Sequence, residues 1–165
     1  MISTPYDQIA KEFEAARNQL QPKEFDYLAV VEAPLASSGT ILDLGCGTGQ
    51  PIATHLANRG HCIVGVDASA AMLTFARARL PEHRWIHQFM ETVEFDETFD
   101  AVVCWDSLFH LPRREHPTVI RKIHQWLRPG GRLMISAAAS LKARADSLTS
   151  CSGTSSITIA YPPRA

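Results

Sequence analysis

The hydrophobic residues of the chain form two kinds of pattern that alternate along it. Near the start, Ile9, Phe13 and Leu20 recur at helical spacing, which predicts a surface helix over residues 6–20. Similar apolar faces predict further helices over residues 25–32, 52–57, 70–80 and 116–127. Mainly apolar runs, typical of buried strands, lie at residues 41–44, 62–66, 84–88, 99–104 and 132–137. A sharp turn is predicted at residues 128–131.

Strands that alternate with helices, and that read as apolar runs without a polar residue at every second position, are typical of a parallel sheet covered on both faces. We therefore predict an α/β protein with a doubly wound, mainly parallel sheet, formed by one domain over residues 1–139. Residues 140–165 depart from this pattern, because nine of these 26 residues are Ser or Thr. We expect this segment to be an irregular or disordered tail.

The first predicted strand runs directly into a glycine loop. Gly45, Gly47 and Gly49 alternate with other residues, and Pro51 is suited to the first turn of the following helix. Such a loop, at the carboxyl end of a parallel strand, is predicted to present backbone N–H groups to a ligand. Asp67 ends the second strand, where its carboxylate can accept hydrogen bonds from both hydroxyls of a ribose. A nicotinamide dinucleotide or another adenosine cofactor fits this arrangement.

The composition excludes few classes of protein. The net charge is -1, with 45% hydrophobic and 20% charged residues, so nothing points to a nucleic acid or an anionic membrane as partner. None of the four cysteines forms a CxxC pair, which indicates reduced thiols in a cytoplasmic protein. No signal-peptide pattern and no apolar stretch of about 20 residues is seen, so we expect no membrane association. The sequence gives no indication of the oligomeric state.

Five stretches of the chain together resemble one family. Residues 42–49, LDLGCGTG, resemble motif I of the class I S-adenosylmethionine-dependent methyltransferases, whose third glycine comes one position earlier than in the dinucleotide pattern G-x-G-x-x-G. The other matching stretches, in order along the chain, are GVDAS with the following Met72, FD at 99–100, WDSLFHLPR at 105–113 and LRPGG at 127–131. The WDSLFHLPR stretch resembles a subgroup that methylates small molecules. The resemblance covers residues 6–138.

The resemblance implies S-adenosylmethionine as the cofactor and a small molecule as the methyl acceptor. It also implies that the chain has the class I fold without its last strands, so that the fifth strand is an exposed edge. The cofactor-binding positions implied by the family are Asp43 near the amino group, Gly45, Cys46 and Gly47 beside the methionine moiety and ribose, Asp67 on the ribose hydroxyls, and Ala68 and Met72 beside the adenine.

One position departs from the family pattern. Where the family often has an Asp that accepts from the adenine amino group, this chain has Phe89. The loss of one such hydrogen bond weakens binding by about 1 kcal/mol. The backbone N–H of Met90 remains available to an adenine nitrogen, and the carboxylate of Glu91 is a candidate substitute for the missing side chain.

Several side chains near the predicted site have two interpretations each. His110 is the candidate general base, or a residue that orients its loop by hydrogen bonding. Trp105 lines the pocket or belongs to the core, and Tyr6 folds over the cofactor or packs on the surface. Cys46 is interpreted as a small loop residue and not a nucleophile. His83 and His87 share no helical face, so no metal site is expected.

The tail supports a hypothesis about its origin. With codons chosen freely, a shifted reading frame from about residue 142 can encode a sequence that resembles the missing family continuation. We therefore hypothesise that a frameshift near Ser140 replaced the native C-terminus, which gene sequencing would test. Three functions follow in order of preference: a small-molecule methyltransferase impaired by truncation, a catalytically inactive S-adenosylmethionine-binding protein, and an NAD(P)-dependent oxidoreductase.

Overall fold

The structure is a computed structural model that describes residues 4–35, 37–138 and 154–160, with side chains for residues 4–35 and 37–136. Its helices are α1 (Tyr6–Ala16), α2 (Pro22–Glu32), α3 (Ile52–Asn58), α4 (Ala70–Arg79), α5 (His116–Trp126) and a short 3-10 helix (Leu108–His110). Its strands are β1 (Thr40–Leu44), β2 (Cys62–Asp67), β3 (Arg84–His87), β4 (Phe99–Cys104), β5 (Leu127–Ala138) and β6 (Thr154–Ala160).

The strands form one sheet in the order β3-β2-β1-β4-β5-β6. The first five strands are parallel to one another, and β6 is antiparallel to β5. The chain winds outward in one direction from β1 to β3 and then in the other direction from β4, so the order reverses between β1 and β4. The prediction of a doubly wound α/β fold is therefore confirmed. At such a reversal a crevice opens beyond the carboxyl ends of the strands.

Two hydrophobic clusters cover the two faces of the sheet. On one face, Leu28 of α2, Leu56 of α3 and Leu73 of α4 pack over β1 and its neighbours. On the other face, α5 supplies buried side chains, among them Val119 and Ile123. Since each parallel strand is covered on both sides, its residues are apolar without alternation, which explains the pattern seen in the sequence.

The helix and strand boundaries differ from the predicted ones at two places. Helix α1 ends at Ala16 and not at residue 20, because Arg17 leaves the helical region with φ -109° and ψ 62°. The stretch at 128–131, predicted as a sharp turn, lies within β5. There the pairing with β4 shifts register, from Phe99 opposite Leu127 to Ala101 opposite Arg132, so the extra residues are accommodated as an irregularity of the strand.

The tail differs from the expectation as well. Residues 154–160 form β6, which pairs with β5 so that residue 159 lies opposite Leu133. The expectation of an irregular tail is wrong for this segment, and β5 is not the exposed edge of the sheet. Residues 139–153 and 161–165 lie outside the described residues, and the frameshift hypothesis stays a prediction. No helix in the described part of the chain is long and apolar enough to cross a bilayer.

Candidate functional site

A cavity of about 800 Å³ lies beyond the carboxyl ends of β1, β2 and β4, where the strand order reverses. Its walls come from the glycine loop, the residues that follow β2, β3 and β4, and helix α1. The structure brings together around this cavity every residue that the sequence singled out as a site candidate: Asp43, Gly45, Cys46, Gly47, Asp67, Ala68, Met72, Met90, Glu91, Trp105 and His110. Their individual roles stay predictions.

The glycine loop is organised around the end of β2. The N–H groups of Gly45 and Cys46 donate to the carbonyl of Val66 at 2.7 and 3.1 Å. Gly47 N–H donates to Asp67 Oδ2 at 2.8 Å. The expectation that the loop presents free N–H groups to a ligand is therefore wrong for these three residues, because their N–H groups are bonded within the protein. The loop instead holds the Asp67 carboxylate in place.

Asp67 keeps acceptor capacity in spite of these bonds. Its second oxygen, Oδ1, accepts from the N–H of Ser69 at 2.8 Å, so each oxygen receives one backbone N–H. A carboxylate offers about four lone-pair positions, which leaves one on each oxygen for the hydroxyls of a ligand. Burial raises the pKa of Asp67, and the bonds from Ser69 and Gly47 oppose that rise. Two backbone amides thus hold a partly buried carboxylate at the cavity.

The backbone at Gly45 can be formed only by glycine. Its φ of +78° is in the left-handed region, and a Cβ there would lie 2.3 Å from the Cβ of Ser107. Ser107 cannot retreat easily, because its hydroxyl donates to the carbonyl of Leu44 at 2.7 Å. The close packing of the glycine loop against the residues after β4 therefore depends on the missing side chain.

Asp43 is a second carboxyl group in the cavity wall. Only 4% of the residue is exposed. Burial, reinforced by the negative charge of Asp67, raises its pKa to about 7. Such a carboxyl is destabilised as an anion in the free protein and would be stabilised by a positively charged ligand. The two carboxyl groups in the cavity wall, Asp43 and Asp67, therefore fit a ligand that combines ribose hydroxyls with a positive charge.

The segment after β3 forms another part of the wall. The carbonyl of Phe89 accepts from the N–H groups of Thr92 and Val93 at 3.1 and 3.0 Å, so the chain turns here. Phe89 itself lines the cavity. Glu91 Oε2 is buried and has no hydrogen-bond partner among the described residues. A buried acceptor of this kind is costly unless a ligand donates to it. This observation fits the proposal that Glu91 substitutes for the missing Asp.

His110 and Tyr6 meet at the cavity. The Tyr6 hydroxyl lies 3.0 Å from His110 Nε2, and the two rings pack edge to face with centroids 5.3 Å apart. Burial raises the pKa of Tyr6, and the charges of Asp67 and Asp106 raise it further. Tyr6 faces the cavity and does not merely pack on the outer surface. The hydrogen bond of His110 links the 3-10 helix to α1, and its role as a base stays a prediction.

Helix α1 is fastened over the cavity by polar contacts with α4. Asp7 Oδ1 accepts from the hydroxyl of Ser69 at 2.7 Å and from the N–H of Ala71 at 3.2 Å. Glu14 forms an ion pair with Arg79 near the other end of the helix. These contacts attach α1 to α4, the helix that follows Asp67. The helix that covers the cavity is therefore joined to the segment that carries the Asp67 carboxylate.

Trp105 is oriented by a buried carboxylate that the sequence interpretation missed. Glu24, only 1% exposed, accepts from Trp105 Nε1 at 2.7 Å and from the N–H of Gln21 at 2.7 Å. The guanidinium of Arg17 pairs with the same carboxylate. Trp105 is both buried and part of the cavity wall, so its two interpretations hold together. A signal was present: Glu24 lies in the same helical stripe as Leu28, where an apolar residue is typical.

The remaining candidates have structural roles. Burial raises the pKa of the Cys46 thiol well above its ordinary value, which keeps it protonated and unsuited to nucleophilic attack. His83 Nδ1 accepts from the N–H of Ile63 at 3.1 Å, and His87 Nε2 lies 3.0 Å from the carbonyl of Ala68. Among the described residues, no three or more His, Cys, Asp and Glu side chains are grouped to hold a metal ion.

The fold and the cavity define an α/β protein with a nucleoside-type site at the reversal of the sheet. The family model for the methyltransferase domain matches residues 41–131, which is more than half of the chain. The chain therefore belongs to the methyltransferase domain family. The match includes the glycine loop, Asp67 and the residues after β4, and it removes the basis for an NAD(P)-dependent oxidoreductase.

Individual relatives agree with this assignment. The methyltransferase-family protein YqeM of Bacillus subtilis is 37% identical over 118 residues, which are 68% of this chain and 47% of YqeM. The chain spans 36% to 51% of the length of the curated relatives it matches.

Solved structures give the same fold. A TehB-like SAM-dependent methyltransferase from Corynebacterium glutamicum is 27% identical, with a TM-score of 0.64 over 82% of this chain and 72% of that one. The SAM-bound amino pentose methyltransferase CalS10 from Micromonospora echinaspora is 28% identical, with a TM-score of 0.64 over 81% of this chain and 57% of that one.

Proposed function

We propose that the protein is an S-adenosylmethionine-dependent methyltransferase that acts on a small-molecule acceptor. The observation that carries the proposal is the Asp67 carboxylate, held at the cavity by the N–H groups of Gly47, which belongs to the family's glycine motif, and of Ser69. Two related solved structures are named as SAM-dependent or SAM-bound enzymes, which supports the same cofactor here. When bound, the cofactor supplies an electrophilic methyl group on a sulfonium centre.

The residues around the cavity divide into those that bind and those that shield. Asp67 accepts from the ribose hydroxyls, and the nearly buried Asp43 offsets the positive charge of the amino group. Glu91 accepts from the adenine amino group through its unpartnered oxygen. The remaining cofactor contacts are assigned to Gly45, Cys46, Gly47, Ala68, Met72, Met90 and Trp105.

Helix α1 supplies the cover. Tyr6 closes the cavity against His110, which reduces the access of water to the reacting atoms and holds the acceptor in line. His110 is the proposed acceptor of the proton that leaves the methyl acceptor during transfer. The catalytically inactive alternative rests on Phe89 and on the hypothesised loss of the native C-terminus. The unpartnered oxygen of Glu91 weakens the first of these two grounds.

Calorimetric titration with S-adenosylhomocysteine tests the proposal. We expect the wild type to bind, and the variant Asp67→Ala to bind about 30-fold more weakly or worse, since charge-assisted hydrogen bonds contribute about 1.5–3 kcal/mol each. The matched control is Asp96→Ala. Asp96 is exposed and lies just before the amino end of β4, whereas the cavity lies at the carboxyl ends of the strands. Thermal unfolding of both variants separates lost binding from lost folding.

The outcomes divide the alternatives. Equal binding by wild type and Asp67→Ala would remove Asp67 from its proposed role, and binding of NAD in place of S-adenosylhomocysteine would overturn the choice of cofactor. Turnover with a panel of small-molecule acceptors then distinguishes an active enzyme from a protein that only binds the cofactor.

A further inference from the structure

The charged groups that line the cavity are mostly of one sign. The described lining residues with charged side chains are one guanidinium, Arg17, and four carboxyl groups, Asp43, Asp67, Glu91 and Asp106. Asp43 and Asp67 lie on the side of the glycine loop, and Glu91 follows β3. These three are assigned above to the cofactor, whereas Asp106 has no partner in that assignment.

Arg17 does not offset this negative charge. Its guanidinium pairs with the carboxylate of Glu24, which is 1% exposed, and one of its nitrogens also donates to the carbonyl of Gln19 at 3.0 Å. A buried carboxylate that loses its cation is strongly destabilised, so Arg17 is committed to Glu24. An acceptor with a carboxylate or phosphate group therefore meets no available cationic side chain among the described lining residues, apart from a protonated His110.

Asp106 lies in the cavity wall, just after the end of β4. It directly follows Trp105 at the end of β4, and its N–H donates to the hydroxyl of Ser136 at 2.6 Å, which fixes the backbone there. Its side chain is exposed and lines the same cavity as Tyr6 and His110. Asp106, Tyr6 and His110 all line the cavity, and none of them is among the cofactor contacts assigned above. We call these three residues the mouth of the cavity.

We propose that this mouth is an acceptor subsite selective for a cationic amine, which the carboxylate of Asp106 binds, and that anionic acceptors are rejected. The inference rests on the proposed function, since it names the acceptor class of the same cavity. Of the four carboxyl groups in the lining, only Asp106 is left without a partner in the assignment to the cofactor, and the guanidinium of Arg17 is committed to Glu24. An amine both pairs with Asp106 and reduces the excess negative charge.

The test uses three probes of one shape and different charge: 2-phenylethylamine, 2-phenylethanol and phenylacetate. Their binding to the full chain, saturated with S-adenosylhomocysteine, is measured by ligand-observed NMR titration at low salt. We expect the amine to bind about tenfold more tightly than the alcohol, and phenylacetate to bind most weakly of the three.

Asp106→Asn is the informative variant. Asp106 has a φ of 49°, a conformation that Asn tolerates as well as Asp does, so the substitution removes the charge and keeps the backbone. We expect it to abolish the tenfold preference for the amine and to leave the affinity for S-adenosylhomocysteine within twofold of wild type. The control Asp96→Asn removes an exposed charge just before the amino end of β4, away from the cavity, and should retain the preference for the amine.

The failures of the two proposals are distinguishable. If the wild type does not bind S-adenosylhomocysteine, the proposed function fails. If it binds S-adenosylhomocysteine but shows no preference for the amine, because all probes bind equally or none binds, only the amine subsite is overturned. An amine preference that survives in Asp106→Asn would also overturn the assignment to Asp106.

Discussion

At the residue scale, the site depends on a carboxyl group that the free protein accommodates poorly. Asp43 is almost fully buried at the end of β1, and burial together with the nearby charge of Asp67 raises its pKa to about 7. A residue that reduces stability in the free protein and gains a favourable partner from the ligand is typical of a functional position. Asp43 therefore links the stability of the protein to pH and to the cofactor.

The substitution Asp43→Asn tests this link through the pH dependence of stability. The pKa of Asp43 is higher in the folded protein than in the unfolded chain, so the folded state binds more protons and wild-type stability falls as pH rises towards 7. Asn cannot ionise, so the stability of the variant relative to wild type should increase by about 2–3 kcal/mol between pH 5 and pH 8. Urea unfolding at both pH values measures this gap.

Asp96→Asn serves as the control for the pH series, because Asp96 is exposed and its substitution should give a gap near zero at both pH values. A gap for Asp43→Asn that does not change with pH would contradict the assigned cause. Calorimetry should also show weaker binding of S-adenosylhomocysteine by Asp43→Asn at pH 8, although that variant is the more stable protein.

The residues of the site were predictable to different degrees for a physical reason. Gly45 and Asp67 stand at fixed positions of a family motif, so their spacing in the sequence identifies them as candidates. Glu24 and Asp106 make contacts with segments far away in the chain, such as the bond from Trp105 to Glu24 across 81 positions and the bond from the Asp106 N–H to Ser136 across 30 positions. Spacing carries no information about such contacts. The expectation of free N–H groups in the glycine loop was also wrong, because the N–H groups of Gly45, Cys46 and Gly47 donate to acceptors at the end of β2.

At the scale of single elements, helix α1 determines whether the cavity is covered. It is an amphipathic helix with little buried surface of its own, since Ala10 is its only fully buried residue among those described. Its attachment relies on polar contacts, of which Asp7 makes two with the start of α4. An element held mainly by such contacts opens more easily than the sheet does.

The substitution Asp7→Ala should loosen α1 without unfolding the protein. The loss of hydrogen bonds worth about 1 kcal/mol each should speed amide hydrogen exchange in residues 4–16 and weaken the binding of S-adenosylhomocysteine about three- to tenfold. The melting temperature should change little. Glu12→Ala, an exposed position on the same helix, is the matched control. Unchanged exchange in α1 with weakened binding would show that Asp7 acts on the ligand directly.

The elements themselves were largely predictable because parallel strands and amphipathic helices leave clear hydrophobic patterns. The exceptions occur where pairing with a distant strand decides the conformation. The Pro-Gly-Gly stretch at 129–131 has the composition of a turn, but pairing with β4 on both sides includes it in β5. Residues 154–160 form β6 beside β5 although the segment is rich in Ser and Thr. Local composition does not report such long-range pairing.

At the scale of the whole molecule, a buried charge cluster connects the N-terminal helices to the sheet. The carboxylate of Glu24 in α2 receives Arg17, from just after α1, and Trp105, from the end of β4. Since Trp105 and Arg17 both line the cavity, the same carboxylate contributes to the geometry of the site and to the attachment of the helices. Stability and site geometry are therefore coupled at this residue.

Replacement of Glu24 by Gln measures the strength of this connection. Gln can still accept from Trp105, but it leaves Arg17 as a partly buried cation without a counter-charge, so we expect a loss of about 2–4 kcal/mol in the free energy of unfolding. The control Glu94→Gln removes an exposed carboxylate from Lys122, whose ammonium keeps the backbone carbonyls of Glu91 and Val93 as acceptors, and should lose less than about 1 kcal/mol. Adding Arg17→Met to Glu24→Gln removes the unpaired cation and should recover part of the loss. Equal losses for Glu24→Gln and Glu94→Gln in urea unfolding would show that the buried cluster does not hold the helices on the sheet.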